Sequence, residues 1–197
     1  MLSQLKAKGL LIGLLIGLLT ACSTVPGPDI TYSRQSRNQL VQPDRWFFEG
    51  RLAISGQNES WSASVQWQHV PGLEEIKLSG PLGQRAAVIR LTGAFVSIDH
   101  GDGKLESSEE PEEFVNQQLG VYVPLVSLRY WAFGLPESTH AYMETIDGFS
   151  QAGWLISYKQ MQIVSGQSLP RKIVASNSDV KLKLVIDQWI ISDTKAK

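Results

Sequence analysis

The sequence predicts a mainly β domain with an α-helical insert, its antiparallel strands curled into a barrel or half-barrel. Three observations predict it. Apolar residues recur at every second position through most of the chain after Trp46. The period becomes helical only between about Ser107 and Ala132, and Gly- or Pro-containing turns separate many of the alternating runs. Strict alternation marks a strand with one face in a core and the other in water. Sheets of many such strands curl, since each strand twists against the next. The periodicity fits a filled and a hollow barrel equally.

The chain opens with Lys6 and Lys8, then an 11-residue run of Gly, Leu and Ile from Gly9 to Leu19. A helix crossing about 30 Å of hydrocarbon needs roughly 20 apolar residues, so this run reads as a secretory signal. It ends in Leu19-Thr20-Ala21-Cys22, which resembles the bacterial lipobox. That resemblance implies diacylglyceryl transfer to the Cys22 thiol, cleavage between Ala21 and Cys22, and acylation of the new amine. Several acyl chains anchor a protein stably where one does so only marginally. Ser23 follows the cysteine; an Asp there would be the mark of inner-membrane retention in lipoprotein sorting, so the resemblance implies the outer membrane, with the domain facing the periplasm. Pro26, Gly27 and Pro28 make residues 22–31 a flexible tether, with a reach of at most roughly 30 Å. The expected organisation is therefore a cleaved signal over 1–21, a tether over 22–31 and one domain over 32–197.

Cys22 is the single cysteine of the chain. An exported protein meets an oxidising compartment, yet no intramolecular disulfide and no thiolate metal site can form. The core must hold the fold. Cleavage leaves 176 of the 197 residues, with 16 basic and 19 acidic side chains. That suffices for one real core. The balance lacks a basic block, which argues against nucleic acid as a partner.

The elements follow in order. Ser33 to Val41 is polar and ends before Pro43, a candidate short helix. Trp46, Phe48, Leu52 and Ile54 share one parity, interrupted by Gly50. Trp61, Ala63, Val65 and Trp67 alternate with Ser62, Ser64, Gln66 and Gln68. Pro71-Gly72 is a turn. Ile76 and Leu78 alternate with Glu75 and Lys77. A loop over Gly80 to Gly83 precedes Ala87, Ile89 and Leu91. Phe95 to Asp99 leads to the hairpin turn Gly101-Asp102-Gly103. Ser107 and Glu110 fit a capping box for a helix over Ser107 to Leu119, with four glutamates near its positive end. Pro124 suits the first turn of a second helix carrying Leu125, Leu128, Trp131 and Ala132, closed by Gly134 and Pro136. Strands return over roughly Thr139 to Ile146, Trp154 to Lys159, Lys172 to Ala175 and Val180 to Trp189, where Leu182, Leu184 and Ile186 share one parity.

Four local motifs resemble the LolB family of outer-membrane lipoprotein receptors. They are Val65-Gln66-Trp67; the run Leu78-Ser79-Gly80-Pro81-Leu82-Gly83; Leu119-Gly120 through Pro124-Leu125, Ser127 to Trp131 and Gly134-Leu135-Pro136; and Lys183 to Ile190. Gly80 stands where the family often has Asn. The resemblance implies an open, curved antiparallel sheet, a LolA/LolB-like half-barrel whose helices cover an apolar cavity. It also implies a function: accepting mature acylated lipoproteins from a soluble periplasmic carrier and placing their acyl chains in the outer membrane. By motif, Leu82 between Pro81 and Gly83 is the membrane-insertion residue.

Parity and the resemblance together nominate the acyl-chain cavity: Phe48, Leu52, Ala63, Val65, Trp67, Ile76, Leu78, Ile89, Leu91, Leu128, Trp131, Leu184 and Ile186. Buried tryptophans more often pack a core than line a site, and Arg129 reads as a solvated or ion-paired residue. His69, His100 and His140 fall at strand ends or turns. Asp99-His100-Gly101-Asp102 is turn chemistry on a hairpin tip. Neither G-x-S-x-G nor H-E-x-x-H occurs, so no enzyme, cofactor or metal is expected. The expected molecule is a monomer whose partners are carrier, cargo and outer-membrane lipid. The alternative is a structural or assembly-scaffold lipoprotein with a filled core.

Overall fold

Two β-meanders share one sheet and meet at a central pair of strands. The computed structural model describes residues 30–57, 59–80, 86–102 and 104–192. The expected signal, Cys22, nearly all of the tether and Pro81-Leu82-Gly83 lie outside the described residues. The first meander comprises β1 (Trp46–Ser55), β2 (Ser60–Val70), β3 (Leu73–Ser79), β4 (Ala86–Thr92), β5 (Phe95–Asp99) and β6 (Leu105–Ser108). The second comprises β7 (Tyr142–Glu144), β8 (Gly148–Gln151), β9 (Trp154–Val164), β10 (Gln167–Ser176) and β11 (Lys181–Ile191). β11 pairs antiparallel with β1, giving one eleven-stranded sheet in the order β6-β5-β4-β3-β2-β1-β11-β10-β9-β8-β7. Among the described residues there are three helices: α1 (Arg34–Arg37), α2 (Pro111–Leu119) and α3 (Leu125–Phe133).

Laid flat at about 4.8 Å per strand, this sheet would be about 50 Å wide, beyond the reach of two short helices. Yet inner-face residues from Val96 and Ile98 of β5 to Phe149 of β8 join α2 and α3 in one apolar cluster. The sheet is therefore rolled. Its edges β6 and β7 do not pair with each other, so the roll stays open. The segment carrying α2 and α3 leaves one edge and returns to the other. It packs on the inner face, where Val115, Leu125, Leu128, Trp131 and Phe133 bury their side chains.

Register places the aromatic residues. Phe48 lies opposite Trp67 on one side and Trp189 on the other. Along β11, Leu182, Leu184 and Ile186 share a parity that Trp189 does not. The pairing explains how all four are buried: Glu49 faces Gln188 and Gly50 faces Ile186, leaving Asp187 as an extra residue. This bulge turns the next odd-numbered side chain inward and sends Asp187 outward to Arg51 at 2.9 Å. Glycine is required at position 50, because a Cβ there would overlap the Val185 carbonyl oxygen.

Several sequence expectations are corrected. The helix expected from Ser107 begins at Pro111; Ser107 belongs to β6, paired with Ser97, and no side-chain capping bond forms at Glu110. Proline at the first helical position and the β5 pairing win over the capping box; the Ser108 hydroxyl instead accepts the Glu110 N–H. The strand expected over Thr139 to Ile146 shrinks to β7. Ile146 is fully exposed, and β8, unforeseen, takes the core position with Phe149. The helix expected over Ser33 to Val41 is the single turn α1, capped by the Ser33 hydroxyl. The ends of α2 and α3 match expectation. Gly120 and Gly134 both adopt left-handed backbone, and Leu135 N–H closes onto Tyr130 O at 3.0 Å.

Candidate functional site: an apolar cup under two helices

The sheet supplies two walls and α3 supplies a cover. Val65 and Trp67 of β2, Ile76 and Leu78 of β3 and Ile89 of β4 point inward from one wall; Phe48 and Leu52 of β1 with Leu184 and Ile186 of β11 form the floor. Leu128 and Trp131 come down from α3. Ala63 and Leu91 are half-buried against the same cluster. Every residue nominated as cavity lining thus lies in one apolar body, and the strand parity that nominated them is the parity that turns inward.

Sequence reasoning missed part of this body. Phe133, at the end of α3, stacks edge-on to Trp189 at 4.8 Å and tilts over Trp46 at 5.6 Å. Trp46 lies 5.8 Å from both Phe48 and Trp67, and Phe48 lies 5.0 Å from Trp189. The result is an aromatic floor beneath the C-terminal end of α3. Phe133 follows Ala132 in a helix that is apolar almost all round, a signal of burial that spacing from Leu125 and Leu128 alone passed over.

Two polar networks fix α3, and both were invisible in the motifs. The first sits at its C-terminal end. The Trp131 indole N–H donates to Gln151 Oε1 at 2.9 Å, which also accepts the Glu137 N–H. The Gln151 amide donates to the carbonyls of Glu137 and His140, and the Tyr158 hydroxyl donates to Trp131 O at 3.0 Å. Glu137, 5% exposed, accepts from the N–H and hydroxyl of Thr139 and pairs with His140 Nδ1. The Thr139 hydroxyl foremost, with His140 and the Thr139 N–H, outweighs burial and holds the Glu137 carboxyl down at about 2.

The second network sits on the opposite wall. Glu74 shares the inward parity of Ile76 and Leu78, a carboxylate on an otherwise apolar face. It accepts from the Trp67 indole N–H at 2.6 Å, meets His69 Nδ1 at 2.7 Å and pairs with Arg129 of α3 at 2.8 Å. Burial works to lower the Arg129 pKa, but the bond and charge of Glu74 outweigh it and the value is raised. A cavity of about 40 Å³ adjoins the pair, walled by Trp67, Leu91, Leu125 and Val126. That volume holds a water molecule, not an acyl chain. The cup is closed at this wall, with side chains filling it.

Elsewhere, Asp99 accepts the Gly101 N–H and Asp102 the Lys104 N–H, the local bonds of a tight hairpin. Among the described residues no group of three or more His, Cys, Asp or Glu is placed to hold a metal, and no helix is long and apolar enough to cross a membrane.

A rolled sheet whose apolar face is turned inward beneath two helices defines a class of domain built around a hydrophobic interior. The family model described as Outer membrane lipoprotein LolB matches residues 44–189. The outer-membrane lipoprotein LolB of Chromohalobacter salexigens is 31% identical over 192 residues, covering 91% of this chain and 89% of its own. That of Pseudomonas paraeruginosa is 35% identical over 162 residues, covering 78% of each. Among solved structures, a LolA superfamily protein from Nitrosomonas europaea matches with a TM-score of 0.47 and 9% identity, over 81% of this chain and 91% of that one. The chain belongs to the LolB family of outer-membrane lipoproteins. The family serves lipoprotein localisation as a receptor, working with the LolA carrier and lipoprotein cargo.

Proposed function

We propose that this protein, anchored through an acylated Cys22, takes mature lipoproteins from a soluble periplasmic carrier and inserts them into the inner leaflet of the outer membrane. The observation that carries the reading is the continuous inner apolar face, from Ile89 of β4 through Phe48 and Ile186 to Leu128 and Trp131 of α3. Cargo acyl chains take the place that these side chains fill in the closed form, once α3 moves aside. Leu82, which lies between β3 and β4 in the sequence, engages the bilayer. The receptor acts as a monomer without catalysis.

Energetics supply the reason for such a cup. Three acyl chains of about 15 methylenes each, at about 0.8 kcal/mol per methylene, would cost on the order of 35 kcal/mol if left in water. Transfer must therefore run from interior to interior to bilayer. Direction requires only that each acceptor hold the chains more tightly than the donor.

The test is transfer itself. The full-length protein in phospholipid vesicles is incubated with carrier loaded with a labelled lipoprotein. Label should leave the carrier and float with the vesicles, and Trp131→Asp or Ile89→Asp should block this, since a carboxylate there faces acyl chains unpaired. Circular dichroism establishes that each variant is folded. Cargo remaining on the carrier with the wild-type protein present would favour the scaffold reading. Normal transfer by a folded variant would remove that residue from the lining.

A further inference from the structure

The polar cluster around Glu74 divides into two halves that belong to different bodies. Trp67 and His69 lie on β2 and Glu74 on β3, all in the sheet. Arg129 and Tyr130 lie on α3, where the guanidinium sits over the Tyr130 ring at 4.9 Å and donates to its hydroxyl at 3.1 Å. Among the polar contacts of this cluster between described residues, the one that crosses from sheet to helix is Arg129 to Glu74 at 2.8 Å. If the helix lifts, neither charge is stranded. Glu74 keeps the Trp67 indole N–H at 2.6 Å and His69 at 2.7 Å; Arg129 keeps Tyr130 and gains water.

The position of this contact matters as much as its partition. At its other side α3 is tied to β8 and β9 by Trp131–Gln151 and by Tyr158–Trp131 O, and Gly134 at its end lies against Pro170 of β10. β3 stands four strands away from β10 in the sheet order, across β2, β1 and β11. Arg129 therefore reaches the far wall of the cup while the helix end is fixed on the near wall. The 40 Å³ cavity beside Glu74 is bounded by both bodies, by Trp67 and Leu91 from the sheet and by Leu125 and Val126 from the cover.

We propose that Arg129–Glu74 is a latch that holds α3 closed over the cup, and that admitting acyl chains requires it to open by rotation of α3 about its Trp131–Gln151 end. This rests on the transfer function proposed above and names the step that controls entry. Glu74 and Arg129 are positioning residues: they set the fraction of receptors whose interior is accessible, without being the surface that holds the chains.

The experiment measures the gap directly. Spin labels are placed on the exposed positions Thr92 and Val126 as Thr92→Cys/Val126→Cys in the full-length protein. Thr92 adjoins the sheet wall of the small cavity at Leu91 and Val126 is the exposed part of its helix wall, and inter-label distances are read by pulsed electron paramagnetic resonance without cargo. The latch predicts one short distance for the parent, a second and longer population in Arg129→Gln, and return to the short distance in Arg129→Lys, which keeps the charge. It also predicts that loading from a carrier speeds up several-fold in Arg129→Gln. An unchanged distance distribution in folded Arg129→Gln would overturn the latch and make the pair a static brace. If Arg129→Gln does not fold, Glu74→Gln carries the same comparison. Failure of the parent to acquire cargo would strike the transfer function, while the cargo-free distances still decide the latch.

Discussion

Glu137 shows how much one side chain in a loop can decide. It accepts from Thr139 and His140 within the turn that follows α3, and its carboxyl is held at about 2 against an ordinary 4.5. A carboxyl depressed by folding lends stability that is complete above its unfolded value and is lost as pH falls through its folded value. That loss should run from about 4.5 down to about 2, and protonation should loosen the Gln151 network that seats Trp131. Urea unfolding of the wild type and Glu137→Gln at a series of pH values checks this. The difference between their midpoints, large at pH 7, should shrink toward zero near pH 2. A constant difference would mean that the carboxylate charge contributes nothing. Of this site the sequence showed Trp131 but not Glu137, which lies in the aperiodic turn after α3, or Gln151, which ends the unforeseen strand β8. Glu74 was legible in principle: counting back by two from Leu78 and Ile76 puts a carboxylate on the inner face.

At the scale of elements, alternation was readable wherever neighbouring strands were regular and failed where they were not. β2 reads cleanly, since Trp61, Ala63, Val65 and Trp67 keep one parity through an unbroken pairing with β1. β11 changes parity at Asp187, and nothing local to β11 announces this; the cause lies across the sheet at Gly50. The stretch near Ile146 misled because apolar Met143 and Ile146 face water while Phe149 of β8 takes the core place. The bulge makes a sharp prediction. A methyl group on Gly50 must displace the Val185 carbonyl, and overpacking of this kind costs about 1–3 kcal/mol. Gly50→Ala should therefore unfold at lower temperature by several degrees in a calorimetric scan. Ala53→Gly, three residues along the same strand and on its outer face, should have a smaller effect. Equal melting of wild type and Gly50→Ala would mean that β1 and β11 slide to accommodate the methyl and that the bulge is not fixed by glycine.

For the whole molecule, the proposed function makes acceptance and delivery separable, because it assigns them to different places. The proposal gives acceptance to the cup, whose apolar residues come from both meanders and α3. Delivery is assigned to Leu82, on the connection between β3, which ends at Ser79, and β4, which begins at Ala86. Burying one leucine side chain is worth about 1.5–3 kcal/mol, small beside the roughly 35 kcal/mol held in three acyl chains. Leu82 therefore cannot draw cargo out by affinity. In the proposed function it acts on the barrier instead, parting the lipid interface where the first chain leaves. Leu82→Glu should leave folding and cargo acceptance near wild-type levels while slowing release into membranes markedly. Leu82→Phe and Leu82→Ile should be tolerated, because bulk and hydrophobicity are kept. The check is a two-stage assay on full-length protein in detergent: load with labelled lipoprotein, then add liposomes and follow flotation of the label with time. Equal release by wild type and Leu82→Glu would rule out the wedge. Impaired loading with normal release would place Leu82 at the surface that meets the carrier, and delivery would then have to start from the opened cup itself.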